Sequence, residues 1–552
     1  MAQGSDVDLR TPFFNRGRGK KGLNIPPRSE IISGLTLQPY EDDYLDSLLR
    51  SDEFEYDEAA NIGPMSMFLP WEKDGPNKVG AVYSNKDVGA QFKESAWEQA
   101  LDRLQSLVPT NSSPVLSIEQ AINGESAGSE ADELDGMDTK TNSGAPWFIR
   151  PWKPSAEAEP QKVPEIQSAY SYYTARVKEL YALMNAPVSE SDLPFWFTIA
   201  GQRLVQKGPT PYGLKAKRLI IAFPKDEAIL WKMITPPIMD IMRELKLSGG
   251  VKIMCGWHST SVIDTEMQRM LQWSEKHGRA VLSGDVSNFD ATLPPRIILD
   301  VGKILGTWIK GHSRLVENLV YTMVNRAWLI TPTQLVTPRP SSLKSGSGCT
   351  NLIGSLCNMA IQFYGEEAGL YKIDNLAVLG DDFVIDGPSC SADTTAEAFK
   401  HFGMESHPDK QFVHKRSLAY LKRVHYFGRP GGIASVFRTL GSVLSLERLQ
   451  YHPEDWNDMS YIVRALSQLQ NAVFSPWFTE LVNYVKSGDK YQLGAEITDP
   501  SQILKSAGQS GQEMVAADMR RPWKNQDTRT SFKDWAVNGV IRGEELPRDE
   551  MG

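Results

Sequence analysis

Three short segments in a fixed order do most to limit what this chain can fold into. They are Asp285-Val-Ser-Asn-Phe-Asp290, Ser345-Gly-Ser-Gly-Cys-Thr350-Asn351 and Gly380-Asp381-Asp382. The first and third set carboxylates at the ends of apolar, strand-like runs. Arg279 to Ser283 reads as a strand leading towards Asp285. Leu376 to Leu379 and Phe383 to Ile385 read as two strands around a turn that carries Asp381 and Asp382. Gly380 lets that turn close tightly and leaves room beside the carboxylates. The middle segment is a glycine-rich turn that feeds a helix.

The chemistry that needs such a set is phosphoryl transfer to a growing chain. Two metal ions roughly 3.5–4 Å apart neutralise charge and enforce in-line geometry in that reaction. Mg²⁺ favours carboxylate oxygens and keeps waters or phosphate oxygens as its other ligands. A few aspartates on rigid strand ends meet the need. A Gly-Asp-Asp triplet between apolar runs is also an ordinary hairpin turn, and Asp-x₄-Asp alone says less still. The three segments together, in order and at domain-sized separations, are far more specific.

In the middle segment, Ser345 to Gly348 form a loop whose backbone N–H groups can meet phosphate or ribose. Asn351 and Asn358 are about two helical turns apart and share a face. Buried asparagines are costly unless hydrogen-bonded. One reading is a donor set for a 2′-hydroxyl. The other is a helix N-cap by Ser345 or Ser347, followed by a helix–helix hydrogen bond.

The gross numbers fit a large globular protein. A length of 552 residues carries a prior of three to four domains, and 41% hydrophobic with 23% charged residues is ordinary composition. The net charge of −9 does not announce nucleic acid, although a tunnel can hide positive charge. Cys255, Cys349, Cys357 and Cys390 form no CxxC pair, which argues against a structural zinc or a disulfide framework. No apolar run is long enough to span a membrane. Residues 1–30 form a basic arm, 41–58 an acidic surface helix, and 111–144 mostly loop. Ile166, Tyr170, Tyr173, Val177, Leu180 and Met184 mark the core stripe of a long helix closed by Pro187. A further helix runs from about Trp456 to Phe474, with Ile462, Leu466 and Leu469 on its apolar face.

The three segments resemble motifs A, B and C of viral RNA-dependent RNA polymerases. The similarity is greatest to double-stranded RNA viruses of the picobirnavirus and partitivirus type. Their middle motif similarly runs Ser-Gly-Ser, then Thr, then an Asn eight residues on, here Thr350 and Asn358. The resemblance implies metal ligation by Asp285 and Asp381, with Asp382 close by. It implies ribose discrimination by Asp290, Ser345 and Asn351, with Gly346 and Thr350 also at the nucleotide. Many positive-strand polymerases carry an Asn four residues after the Thr, where this chain has Gly354. Lys215, Lys217 and Arg218 look like the finger motif that guides the triphosphate, and Ser143 and Gly144 like the template-steering loop. Lys410, 28 residues after Asp382, matches the palm lysine that protonates pyrophosphate, and Lys422 and Arg423 lie where a hairpin holds primer phosphates. The resemblance covers roughly residues 140–440, in the unpermuted order A, B, C. Leu379-Gly380 before the paired aspartates departs from reverse transcriptases.

The expected fold is α+β, a closed right hand with an antiparallel palm sheet. Residues 1–65 would bridge fingers and thumb. Residues 66–275 and 300–335 would form the fingers, 276–299 and 336–440 the palm, and 441–552 the thumb and C-terminal segment. The expected activity is template-directed RNA synthesis from ribonucleoside triphosphates with Mg²⁺, or Mn²⁺ in its place. It would replicate and transcribe a double-stranded RNA genome without a primer. Lys486 to Trp535, with Tyr491 and Trp523, is the candidate priming platform, against a tail that packs on the thumb. Expected partners are template and product RNA and a viral capsid protein, with no membrane. The chain would act as a monomer in the virion interior and host cytoplasm. The alternatives are a non-catalytic polymerase-fold scaffold and a terminal nucleotidyl transferase.

Overall fold

A computed structural model of the chain describes residues 34–35, 37–40, 43–50, 54–55, 79–80, 82–83, 86–124, 144–145, 168–203, 218–408, 411–444, 457–489, 491–507 and 532–544. Its helices, in chain order, begin with α1 (Asp43–Leu49), α2 (Glu94–Ser106), α3 (Ile118–Asn123), α4 (Ser168–Asn185), α5 (Lys225–Met242) and α6 (Thr260–Lys276). Then come α7 (Phe289–Thr292), α8 (Pro295–Trp308), α9 (Ser313–Asn325), α10 (Thr350–Glu367) and α11 (Ala392–His401). The last are α12 (Val436–Leu444), α13 (Asp458–Gln470), α14 (Phe478–Gly488), α15 (Pro500–Ser506) and α16 (Ala536–Ile541).

Three sheets interrupt the helices. The first runs β2 (Arg218–Ala222), β1 (Trp196–Arg203), β4 (Ala327–Ile330), β5 (Leu335–Val336). It is mixed, because β1 and β4 pair in parallel. The second runs β6 (Asn375–Leu379), β7 (Asp382–Asp386), β3 (Val281–Gly284), β8 (Phe412–His414) and is antiparallel throughout. The third joins β11 (Ile433–Ala434), β10 (Arg423–Tyr426) and β9 (Ser417–Tyr420).

The β6–β7 hairpin follows from its turn. Leu379 pairs with Asp382, so only Gly380 and Asp381 form the loop. A two-residue hairpin loop of this kind needs positive φ at its first position, and Gly380 has φ 61°. Gly284 ends β3 for a different reason. A Cβ there would meet the Phe383 ring at 1.9 Å, so only glycine lets the ring lie across the strand pair.

Helix α10 is the spine. Every residue from Leu352 to Gly365 is buried, as expected of a helix enclosed on all sides. It belongs to a large apolar cluster with α2, α5, α8 and α9. A second cluster joins α12 to α16 with Leu35, Leu45 and Leu49. Leu35, Leu45 and Leu49 therefore sit on the helical end, whereas Val79 and Tyr83 belong to the large cluster. Glu55 is buried and accepts from the Val436 and Phe437 N–H groups and the Ser435 hydroxyl, which satisfies the start of α12.

Some expectations change. The acidic stretch 41–58 holds the short helix α1, and its Leu45 and Leu49 are core. Within 111–144, expected as mostly loop, α3 forms on a capping box in which Ser117 and Gln120 satisfy each other's backbone N–H. Of the candidate platform, Leu493, Ile503, Ala507, Phe532 and Trp535 pack into the helical cluster. The Tyr491 hydroxyl donates to Asp458 at 2.5 Å. Trp523 and the basic arm 1–30 lie outside the described residues.

A buried ion pair ties α6 to the third sheet. Asp264 accepts from the Arg423 guanidinium and from the Gly432 N–H, each at 3.0 Å. Asp264→Ala would strand the guanidinium without a counter-ion. We expect a loss of about 3–5 kcal/mol, measurable as a lowered urea midpoint. A midpoint within error of the parent would refute this.

Candidate active site

Strand β3 delivers Asp285 and the β6–β7 hairpin delivers Asp381 and Asp382 to the same end of two neighbouring inner strands. Gly284 pairs with Phe383, so Asp285 and Asp382 stand one step beyond the last paired residues of neighbouring strands. Residues directly opposite on such strands have Cβ atoms about 4.5–5.5 Å apart. Asp285 and Asp381 are exposed and Asp382 is half-buried. Burial raises Asp382 to about 6, and the charges of Asp381 and Asp285 push in the same direction. Lys422 and Arg438 oppose the rise, which places both cations within electrostatic reach of the cluster.

The donor set suits a hard cation. Among the described residues no three His, Cys, Asp or Glu side chains converge closely enough to hold an ion as they stand. Mg²⁺ does not require that, since it is usually bound by one or two carboxylates with waters and substrate phosphates completing the shell. Asp285 and Asp381 meet that requirement, with Asp382 beside them.

Buried amides fix the turn. The Asn358 side-chain NH₂ donates to the carbonyls of Gly380 (3.0 Å) and Asp381 (3.2 Å), and the Ser355 hydroxyl accepts from the Gly380 N–H (2.8 Å). Gln362 in turn donates to Asn358 and accepts from the Tyr371 hydroxyl. Opposite, the Ser406 hydroxyl donates to the Asp285 carbonyl at 3.1 Å. Asn358 thus serves neither a ribose nor a second helix but the carboxylate turn. The signal was present in the sequence. Ser355, Asn358 and Gln362 make a polar stripe at helical spacing through an otherwise apolar α10. At Gly354 an added Cβ would stand 3.8 Å from the Gly380 Cα, so the helix and turn approach closely there.

The glycine-rich loop lies at the N-terminus of α10. Neither Ser345 nor Ser347 caps the helix. Cys349 holds that position without a side-chain bond. Ser347 is buried and bonds Glu227, while the Thr350 hydroxyl donates to the Lys344 and Ser347 carbonyls. Ser345 is half-buried, and Gly346 and Asn351 are exposed. The Trp257 indole N–H donates to Asn351 Oδ1 at 2.7 Å and orients that amide. Asp290 is half-buried in α7, one residue after the buried Phe289.

The other candidates divide. Lys215, Lys217, Ser143 and Lys410 lie outside the described residues, and Arg218 opens β2. Gly144 has φ 83° and is buried, where an added Cβ would meet the Pro224 Cα at 2.8 Å. Lys422 is exposed in the β9–β10 turn. Its neighbour Arg423 points inward and gives its donors to Asp264 and the Gly432 carbonyl.

The model of the viral RNA-dependent RNA polymerase family matches residues 218–471, the span that contains this arrangement. Over this span the chain is similar to the viral RNA-dependent RNA polymerases. It is 24% identical over 519 residues to a potential RNA-dependent RNA polymerase of human picobirnavirus, covering 89% of this chain and 86% of that one. The crystal structure of a human picobirnavirus RNA-dependent RNA polymerase superposes with a TM-score of 0.67 at 20% identity. The match covers 97% of this chain and 93% of that one. The Sicinivirus 3Dpol polymerase aligns at 0.51 and 15% identity over 74% of this chain and 84% of its own. The fold is accordingly the polymerase right hand, α+β, with the antiparallel sheet as its palm.

The raised Asp382 gives this palm a pH signature. Its folded value lies above the ordinary carboxylate range, so Asp382 contributes stability to the metal-free protein that is lost as pH rises through about 6. A cation needs the ionised form and displaces the proton. Mg²⁺ should therefore raise the melting temperature more near pH 7 than near pH 5, and Asp382→Asn should flatten the difference. Equal Mg²⁺ stabilisation of the parent at both pH values would contradict the cluster.

Proposed function

We propose that the chain synthesises RNA on an RNA template from ribonucleoside triphosphates, with two Mg²⁺ ions held at Asp285, Asp381 and Asp382. The observation that carries this reading is the delivery of all three carboxylates to one end of the antiparallel sheet by β3 and the β6–β7 turn. Bound there, the ions would supply charge neutralisation and an activated 3′-hydroxyl. Mn²⁺ offers the same octahedral oxygen chemistry and is an alternative ion.

The chain's own residues have separable tasks. Asn358 and Ser355 hold the turn in place, which spares the site reorganisation during the reaction. Asp290, Ser345, Gly346, Thr350 and Asn351 receive the ribose. Lys422 and Arg438 balance charge near the carboxylates. Lys410 protonates the leaving pyrophosphate, Lys215, Lys217 and Arg218 guide the triphosphate, and Ser143 and Gly144 steer the template. In this reading residues 66–275 and 300–335 are fingers, 276–299 and 336–440 palm, and 441–552 thumb. Residues 1–65 bridge fingers and thumb. The enzyme acts as a monomer beside a capsid protein, in the virion interior and host cytoplasm. It replicates and transcribes a double-stranded RNA genome and starts without a primer.

Purified protein should copy a short RNA with Mg²⁺ and no primer, and omission of the template should abolish product, which separates it from a terminal transferase. Asp381→Asn should remove nearly all synthesis while RNA binding persists, because binding rests on basic residues elsewhere. Wild-type-like turnover by that variant would sink the metal assignment.

Ribose selection has its own test. A site built around a hydroxyl leaves its polar groups unpaired when the hydroxyl is missing. Asn351→Ala should lower the ratio of ribo- to deoxyribonucleotide incorporation on the order of tenfold, about 1.4 kcal/mol, with template affinity unchanged. An unaltered ratio would remove Asn351 from the ribose site.

A further inference from the structure

Glu227 is a fully buried carboxyl that the chemistry above does not use. It lies in the first turn of α5, directly after Pro224, and its two oxygens face the glycine-rich loop. Oε1 lies 2.5 Å from the Ser347 hydroxyl oxygen, and Oε2 accepts from the Gly348 N–H at 3.2 Å. Some 120 residues separate the partners in sequence. The same loop is pressed on the strand before α5. Gly346 bridges Ala222 at the end of β2, and a Cβ at Gly346 would meet the Ile221 carbonyl oxygen at 2.2 Å.

The loop therefore has two faces. Ser347 and Cys349 are buried against α5 and the core, while Ser345, Gly346 and Asn351 look outward. A loop with glycines at 346 and 348 has little stiffness of its own. Something outside it must set where its outer face stands.

We infer that Glu227 is a positioning residue, a latch on the inner face of the glycine-rich loop that sets Ser345 and Asn351 against the incoming ribose. The inference rests on the reading of that loop as a nucleotide site. Burial raises the Glu227 carboxyl to about 8, so it is the neutral acid at physiological pH. Its bonds to Ser347 and Gly348 pull the value down and the charge of Asp226 pushes it up. A neutral acid has one O–H donor and one carbonyl acceptor. The Ser347 hydroxyl donates to Oε1 and the Gly348 N–H donates to Oε2. A glutamine keeps a carbonyl for Gly348 and can meet the Ser347 oxygen through its NH₂ once the hydroxyl turns, and an alanine removes both bonds.

The test uses the full chain with Glu227→Gln, Glu227→Ala, Ser347→Ala and the double Glu227→Ala/Ser347→Ala variant. The first readout is steady-state extension of a primed RNA template with ribo- and deoxyribonucleotides. Glu227→Ala and Ser347→Ala should each raise the nucleotide KM about tenfold, change kcat less, and narrow ribose discrimination. The double variant should be no worse than Glu227→Ala, as for two sides of one interaction. Glu227→Gln should stay within about twofold of the parent. The second readout, hydrogen exchange at the amides of 346–350, needs no catalysis. Exchange should rise in the alanine variants and not in Glu227→Gln.

Unchanged KM and discrimination in Glu227→Ala, additive losses in the double variant, or a Glu227→Gln as impaired as the alanine variant would each overturn the latch. If Glu227→Ala does not fold, Ser347→Ala and Glu227→Gln decide the same question. A parent protein that makes no RNA on a template would overturn the nucleotide reading, while hydrogen exchange still reports on the latch itself.

Discussion

The site depends on one buried amide. A two-residue hairpin turn brings Asp381 and Asp382 together but leaves the Gly380 and Asp381 carbonyls facing the interior. Asn358 donates to both, at 3.0 and 3.2 Å. A buried carbonyl without a donor costs about 1–3 kcal/mol, and the carboxylates above it repel one another. The amide binds the turn to α10, the helix whose first residues carry the glycine-rich loop. Carboxylates and loop are thereby parts of one rigid body, held by a helix buried on every side. Gln362 and Tyr371 continue the chain of bonds, so no member of the network is left unpaired.

Charge is arranged locally and not by average. The whole chain is acidic, at −9. Lys422 and Arg438 nevertheless act on Asp382, and each offsets part of the repulsion that Asp381 and Asp285 impose. The tight β9–β10 turn then separates two adjacent cations. Lys422, in the turn, is exposed beside the carboxylates, and Arg423, the first residue of β10, is buried on Asp264. Reading both as phosphate contacts from sequence treated neighbours as equivalent, when Lys422 lies in the turn with a positive φ and Arg423 opens a strand whose residues are all buried.

The parts legible in the sequence were those encoded by local pattern. The β6–β7 hairpin, β3, the helices around Val177 and Leu466, and the order of the three segments all follow from alternation, turn residues and helical spacing. The parts missed depend on contacts across the chain. Nothing near Ser347 says that its hydroxyl meets Glu227 across some 120 residues instead of capping its own helix. Asn358 looked like a partner of Asn351 because the two share a helical face. Depth separates them: Asn351 is exposed at the N-terminus, and two turns later the same face lies under the hairpin. Helix α3 was hidden by polar composition, although Ser117 and Gln120 spell a capping box.

The helical end reaches the carboxylates by a similar route. A helix start exposes N–H groups that need acceptors, and the start of α12 is buried. Glu55, from the N-terminal segment, supplies both carboxylate oxygens to Val436 and Phe437. Arg438 is the next residue of that helix, and its charge acts on Asp382. Trp477 on the same helical end donates its indole N–H to the Gln38 carbonyl, and the Arg50 guanidinium lies 5.1 Å over its ring. The N-terminal segment is therefore part of what fixes α12. Because α12 carries Arg438, whose charge acts on Asp382, an element distant in sequence bears on the electrostatics of the palm through the buried Glu55 carboxylate.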